Sequence, residues 1–166
     1  MYRLAILSAI FTQPHTTSII QKDDLIRGAT MTSNNPETQR VLVVDDSETI
    51  RRSAEIFLKQ AGYEVIMSSD GFDALAKICD HNPDLILVDI MMPKLDGYQT
   101  CHIVKQNPTY ASTPVIMLSS KDGVFDRARG RIAGSDQYLT KPFTRDGLLT
   151  AVKTQLSARS NSAATS

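Results

Sequence analysis

The sequence has no tryptophan, only two cysteines, and no excess of either charge. Lys and Arg together number 18, as do Asp and Glu, so the formal net charge at neutral pH is zero. Nucleic-acid binding draws on a basic face, and an anionic membrane surface draws on clustered Lys and Arg. The balance here supplies an argument for neither, and the expectation is no nucleic-acid partner. Cys79 and Cys101 both fall in segments with helical periodicity. Two isolated thiols in a chain of this size read as small core residues in a reducing compartment, not as a staple. No run of 18 apolar residues occurs, so no transmembrane helix and no membrane insertion are expected. What remains is ordinary for a globular protein: 166 residues, 42% hydrophobic and 22% charged. That length suits one domain with one sizeable core and some extra at the ends.

Residues 1–30 do not pattern with the rest. Leu4-Ala5-Ile6-Leu7-Ser8-Ala9-Ile10-Phe11 follows Arg3 and loosely resembles a short signal peptide. The apolar region is brief, one charge precedes it, and no small-residue cleavage site follows. Met31 then opens a polar leader through Glu37. The leading expectation is an alternative start at Met31, with 1–37 a poorly ordered extension. An interaction helix or membrane-surface segment is the rival.

From Arg40 the pattern is regular. Val41-Leu42-Val43-Val44 reads as a buried strand ending in Asp45-Asp46. Ser47 is placed to cap the helix that follows. Ile50, Ala54, Phe57, Leu58 and Ala61 share one helical face, and Gly62 ends that helix in a left-handed conformation. Tyr63 to Met67 is a second strand. A helix over about 71–81 stops at Asn82-Pro83. Leu85-Ile86-Leu87-Val88 is a third strand, ending at Asp89 before the turn at Pro93. Asp96-Gly97-Tyr98 opens a helix to about Asn107. Pro114 to Leu118 is a fourth strand ending in Ser119-Ser120. A weakly patterned helix follows over about 122–132, marginal because of its interior Gly130 and charged face. Gln137-Tyr138-Leu139 is a short fifth strand before Lys141-Pro142, and Leu148, Leu149, Val152 and Leu156 mark the last helix. The tail from about 158 to 166 is small and polar, hence expected to be disordered.

Strand and helix alternate five times, which predicts a doubly wound α/β domain over about 38–157. Fold precedent gives the strand order 2-1-3-4-5, since periodicity alone cannot. In that order, Asp45, Asp46, Asp89, Ser119 and Lys141 converge at the carboxyl ends of four neighbouring strands. Three carboxylates brought together repel one another unless a cation sits among them. Carboxylate oxygens, a backbone carbonyl and waters suit Mg²⁺, and a Lys with a hydroxyl suits the oxygens of a phosphoryl group. A metal-bound carboxylate can act as a nucleophile on phosphorus. Each residue has an ordinary alternative: a helix cap for Asp45-Asp46, a turn for Asp89, a loop hydroxyl for Ser119, an exposed Lys before a bend for Lys141. The four strand ends taken jointly favour the chemistry.

The motifs Val41-Leu42-Val43-Val44-Asp45-Asp46-Ser47, Leu87-Val88-Asp89-Ile90-Met91-Met92-Pro93 with Asp96-Gly97, Pro114-Val115-Ile116-Met117-Leu118-Ser119, and Lys141-Pro142-Phe143 resemble the response-regulator receiver domains of the chemotaxis CheY type. The resemblance covers about Arg40 to Leu156 and implies a flavodoxin-like (βα)5 fold. It implies that Asp89 is the phosphoacceptor and that Asp45, Asp46, Asp89 and the Met91 backbone carbonyl hold Mg²⁺. It implies that Ser119 and Lys141 contact the phosphoryl oxygens, that the Lys141-Pro142 bond is cis, and that Ser119 and Tyr138 form the switch. The helix over 122–132 and the last strand then form the readout face. The resemblance further implies a cytoplasmic signalling protein that is not an enzyme beyond catalysing its own phosphorylation and dephosphorylation. Met91 and Lys121 are apolar and basic where some relatives carry an amide and an acid, so neither orients a water, and slow dephosphorylation is expected.

Stretches outside that signature, Asp70 to Lys77, Leu95 to Cys101 and Gly134 to Phe143, resemble the receivers of type IV pilus chemosensory systems that govern twitching motility. This implies a chemotaxis-type sensor histidine kinase as donor and a downstream protein effector, such as a pilus motor or its regulators. The alternatives are a phosphorelay intermediate or a receiver of another chemotaxis-like pathway. A phosphatase of the aspartyl-phosphate class needs a second carboxylate where Met91 stands. A DNA-binding regulator would need an output domain after the last helix. His15, His81 and His102 are scattered without metal-ligand spacing and read as surface residues. Gly62, Gly71 and Gly134 are expected at turns.

Overall fold

Five short strands form one parallel sheet: β1 (Arg40–Val44), β2 (Glu64–Ser68), β3 (Leu85–Asp89), β4 (Val115–Ser119) and β5 (Gln137–Thr140). Their order is β2-β1-β3-β4-β5, every neighbouring pair parallel. The computed structural model describes residues 38–120 and 124–163. The connecting helices are α1 (Glu48–Gln60), α2 (Gly71–His81), α3 (Gly97–Gln106), α4 (Val124–Ala133) and α5 (Arg145–Ala163). This is the doubly wound arrangement that the alternation predicts, in the flavodoxin-like strand order that the resemblance implies.

The inner strands are apolar at nearly every position because both of their faces are covered. Val41, Val43, Leu85, Leu87, Ile116 and Leu118 pack against Ala54 and Leu58 of α1 and Leu148, Val152 and Leu156 of α5. The alternate residues Leu42, Ile86 and Met117 point to the opposite face and are equally buried. There α2 touches α3 and α3 touches α4. Cys101 lies inside α3, where burial pushes its thiol up to about 12, and Cys79 is half-buried.

Helix ends follow local chemistry. Gly62 has φ +91°, and the Tyr63 N–H reaches back to the Leu58 carbonyl, closing α1. Asp70 caps α2 by accepting from the N–H groups of Phe72 and Asp73. Asp96 and Gln99 form a reciprocal capping box at α3. Gly71 is the first residue of α2, where a Cβ would lie 2.6 Å from Thr100 Oγ1, so close packing explains it better than a turn does.

Three expectations differ from what the structure shows. Ser47 is the N-cap residue of α1, but its side chain makes no capping bond. Its N–H donates instead to Asp45 Oδ1 at 2.9 Å. The tail expected to be disordered from about 158 is helical to Ala163. Arg159 Nη1 donates to the Asp84 carbonyl at 2.8 Å and lies 3.4 Å from Asp84 Oδ1, which ties the last turns to the start of β3. A polar composition gave no sign of that tertiary anchor. The second strand is Glu64–Ser68 rather than 63–67, because its register pairs Ser68 with Val44. The extension 1–37 and Lys121 lie outside the described residues.

Candidate functional site

The parallel register brings the carboxyl ends of β1, β3, β4 and β5 to one edge. Val44 pairs with Val88, Asp89 with Leu118, and Ser119 with Thr140. Backbone bonds continue this beyond the strands: the Ile90 N–H donates to the Leu118 carbonyl at 3.0 Å, and the Lys141 N–H to the Ser119 carbonyl at 2.6 Å. The chain therefore turns into the site while still held by the sheet.

Asp45 is fully buried and held from three directions. Its Oδ1 accepts from the Ser47 N–H, its Oδ2 from Lys141 Nζ at 2.9 Å, and its carbonyl from Arg51 Nη1 at 2.7 Å. Asp89 is 2% exposed, with Lys141 Nζ 2.8 Å from its Oδ1. That approach is an ion pair without hydrogen-bond direction, and Asp89 Oδ1 is left as a buried acceptor with no hydrogen bond. Asp46 is exposed. Asp45, Asp46 and Asp89 each present an oxygen, all within 4.8 Å of one another. Three carboxylates against the Lys141 ammonium and the Arg51 guanidinium leave the cluster formally one charge negative.

The electrostatics follow. Burial pushes the Asp89 carboxyl above the ordinary range. Lys141 pulls it down, the charge of Asp45 adds to the rise, and the Met91 N–H, bonded to the carboxylate, opposes it. Burial alone would lower Lys141, but its contacts with Asp89 and Asp45 outweigh that and hold it above its usual value. A cluster of three carboxylates that converge on one point is the environment a hard divalent cation fits. The donor set, all oxygen and small, suits Mg²⁺.

Ser119 closes β4 and is 3% exposed. Tyr138 lies half-buried in β5, opposite Met117. The Lys141-Pro142 peptide is cis, as the resemblance implies. Met91 is 69% exposed and lines a cleft of about 440 Å³ with Asp46, Ile90, Met92, Pro93, Asp96, Tyr98 and Arg129.

Two roles are not evident from the motifs alone: that of Gly97, which the motifs already include, and that of Arg129. Gly97 is the first residue of α3, and its N–H donates to the Ile90 carbonyl at 3.1 Å. A Cβ there would overlap the Asp89 carbonyl oxygen. The available signal was a glycine, a poor helix former, placed directly after the Asp96 cap. Arg129 stacks over the Tyr98 ring, 4.6 Å from its centroid, and no spacing rule links positions so far apart in the chain.

The family model of the response regulator receiver domain matches residues 41–153. The chain belongs to that family. It is 66% identical over 114 residues to protein PilG of Pseudomonas aeruginosa, spanning 69% of this chain and 84% of that protein. It is 43% identical over 106 residues to the alkaline phosphatase synthesis transcriptional regulatory protein PhoP of Bacillus subtilis, spanning 64% of this chain and 43% of that protein. Among solved structures, the chemotaxis protein CheY4 of Vibrio cholerae superposes with a TM-score of 0.68 at 34% identity, over 70% of this chain and 97% of that one. The receiver domain of the Francisella response regulator 1452 gives a TM-score of 0.68 at 36% identity, over 73% and 98%. This receiver is therefore PilG-like, with a CheY-like fold.

Proposed function

We propose that this receiver takes a phosphoryl group from a chemotaxis-type sensor histidine kinase onto Asp89 and relays the event to a protein effector. The observation that carries the reading is the convergence on one buried ammonium: Lys141 Nζ lies 2.8 Å from Asp89 and 2.9 Å from Asp45. In the transfer, an Asp89 carboxylate oxygen attacks phosphorus. The phosphorus–nitrogen bond to the donor imidazole breaks, and its electron pair returns to that nitrogen. Asp45, Asp46, Asp89 and the Met91 carbonyl would hold Mg²⁺, which would supply charge neutralisation for the phosphoryl oxygens. Lys141 keeps its proton and shifts from the carboxylates towards the incoming oxygens. Ser119, buried at the end of the adjacent strand, donates its hydroxyl to one of them. Tyr138 follows in the neighbouring strand, so the event at β4 alters the surface of α4 and β5.

Similarity to PilG supports a place in a type IV pilus chemosensory pathway controlling twitching motility, with a pilus motor or its regulators as effector. A cytoplasmic location follows from that role, as does a protein that acts chemically only on its own phosphorylation state. Incubating wild type and Asp89→Ala with radiolabelled histidine kinases and Mg²⁺ tests the reading. Wild type should carry a label that hydroxylamine removes, Asp89→Ala should take up none, and a variant that still takes up label would overturn the reading.

A further inference from the structure

A second hollow lies between α3 and α4, separate from the acidic cluster. Tyr98, Gln99, His102, Arg129, Ile132 and Ala133 line it, and it holds about 440 Å³. Ile132 is 83% exposed, more than any other large apolar side chain among the described residues. Ala133 and the Tyr98 ring form a buried floor beside it. Arg129 and His102 supply donors at the rim. Among the described residues, no carboxylate lines this hollow. Asp136, which lies nearby, is held by Lys105 at 2.8 Å. The surface is thus an apolar seat with a cationic rim, sized for one or two large side chains.

We propose that the α3–α4 groove docks an acidic amphipathic helix of a partner protein, which seats an apolar side chain against Ile132 and Tyr98 and sets a carboxylate against Arg129. Helix-in-groove recognition reads anchors at i, i+3, i+4 and i+7, and charge complementarity at the rim selects the partner's sign. Tyr98 and Arg129 also line the cleft beside Asp46 and Met91. The stacked pair is a wall common to both hollows, so an occupant of one touches the side of the other. The proposal goes beyond the phosphotransfer reading and does not rest on it.

The test uses the full chain, isotopically labelled, in chelator and without phosphodonor, so that its outcome is independent of Asp89 chemistry. The probe is a helical peptide with leucines at i, i+3, i+4 and i+7 and glutamates on both flanks. The control keeps the leucines and replaces every glutamate with lysine. The acidic peptide should give saturable amide shifts at Tyr98, His102 and Ile132. The lysine peptide should bind at least about ten-fold more weakly. Ile132→Asp, at a position exposed enough to leave the fold intact, should lose at least about ten-fold for the acidic peptide, and Arg129→Glu should invert the preference between the two. Shifts confined to β5 and α5, equal binding of both peptides, or no saturable binding would overturn the proposal. So would the same residues shifting on concentration of the chain alone, which would make the occupant a second copy, or on removal of residues 1–30, which would make it the chain's own segment.

Discussion

Asp89 and Gly97 show how closely the site is built at the level of single residues. The Asp89 backbone carbonyl touches the position a Gly97 Cβ would occupy, while the Gly97 N–H holds the loop through Ile90. Gly97→Ala should destabilise the fold by about 1–3 kcal/mol through overpacking and should displace the Asp89 backbone, lowering phosphoryl uptake. Urea unfolding with a phosphotransfer assay checks both. Gly62→Ala is the informative contrast: its φ of +91° makes alanine strained, but nothing lies within 4 Å of the new Cβ. It should cost stability by a different mechanism, backbone strain, and leave phosphoryl uptake unchanged. Met91 extends from the loop beside the acidic cleft and is 69% exposed, an apolar side chain that cannot hold a water for attack on an acyl phosphate. The double variant Met91→Asn with Lys121→Glu should therefore hydrolyse its acyl phosphate faster than wild type. Decay of label after removal of the donor measures this, and an unchanged rate would reject the role of these positions.

At the scale of elements, the junction between β2 and α2 is tied by charge. Asp73 Oδ2 accepts from Ser68 Oγ and from Lys77 Nζ, both at 2.7 Å. Burial works to raise the Asp73 carboxyl, but the bonds from Lys77 and Ser68 prevail and hold it below its usual value. A carboxyl lowered in the folded state binds fewer protons there than in the unfolded chain. Its stabilising contribution is present above the unfolded value of about 3.9 and fades as pH falls through the lower folded value. Asp73→Asn should flatten the acid limb of the stability–pH curve below about pH 4 and leave its slope near neutrality unchanged, as thermal unfolding across pH will show. The α3–α4 pair contrasts with that junction. Its ties are the Arg129–Tyr98 stack and the Cys101 thiol donating to the Ala133 carbonyl at 3.4 Å, and its outer edge exposes Ile132.

For the whole molecule, the acidic cluster is a local cost set inside an otherwise apolar sheet. The carboxylates crowded at the strand ends oppose folding until a further cation joins them. Mg²⁺ should therefore stabilise the folded chain by linkage, by about 1.4 kcal/mol at ten times its Kd, raising Tm by about 3–6 °C. Chelation should reverse the shift. Asp46→Asn, the least buried change available in the cluster, should reduce the shift while barely altering the unfolding of the metal-free protein. An unaltered Tm with saturating Mg²⁺ would remove the cluster from consideration as a metal site.

By itself the sequence determined the elements and their chemistry. Apolar runs such as Leu85 to Val88 are too short for exposed helices and too continuous for a half-wet sheet, so they mark strands buried on both faces. A lone polar residue at the end of each run, Asp89 or Ser119, marks the edge where a parallel sheet places its ligands. Only the tertiary structure decided the distances and the supports. The pairing of Lys141 with both Asp45 and Asp89 needs strands that are neighbours in space and far apart in the chain. So do the anchor of Arg159 on Asp84, the space that excludes a Cβ at Gly97, and the stack of Arg129 on Tyr98. These contacts are long-range and leave no periodicity behind, because each is set by packing between elements and not by the pattern within one.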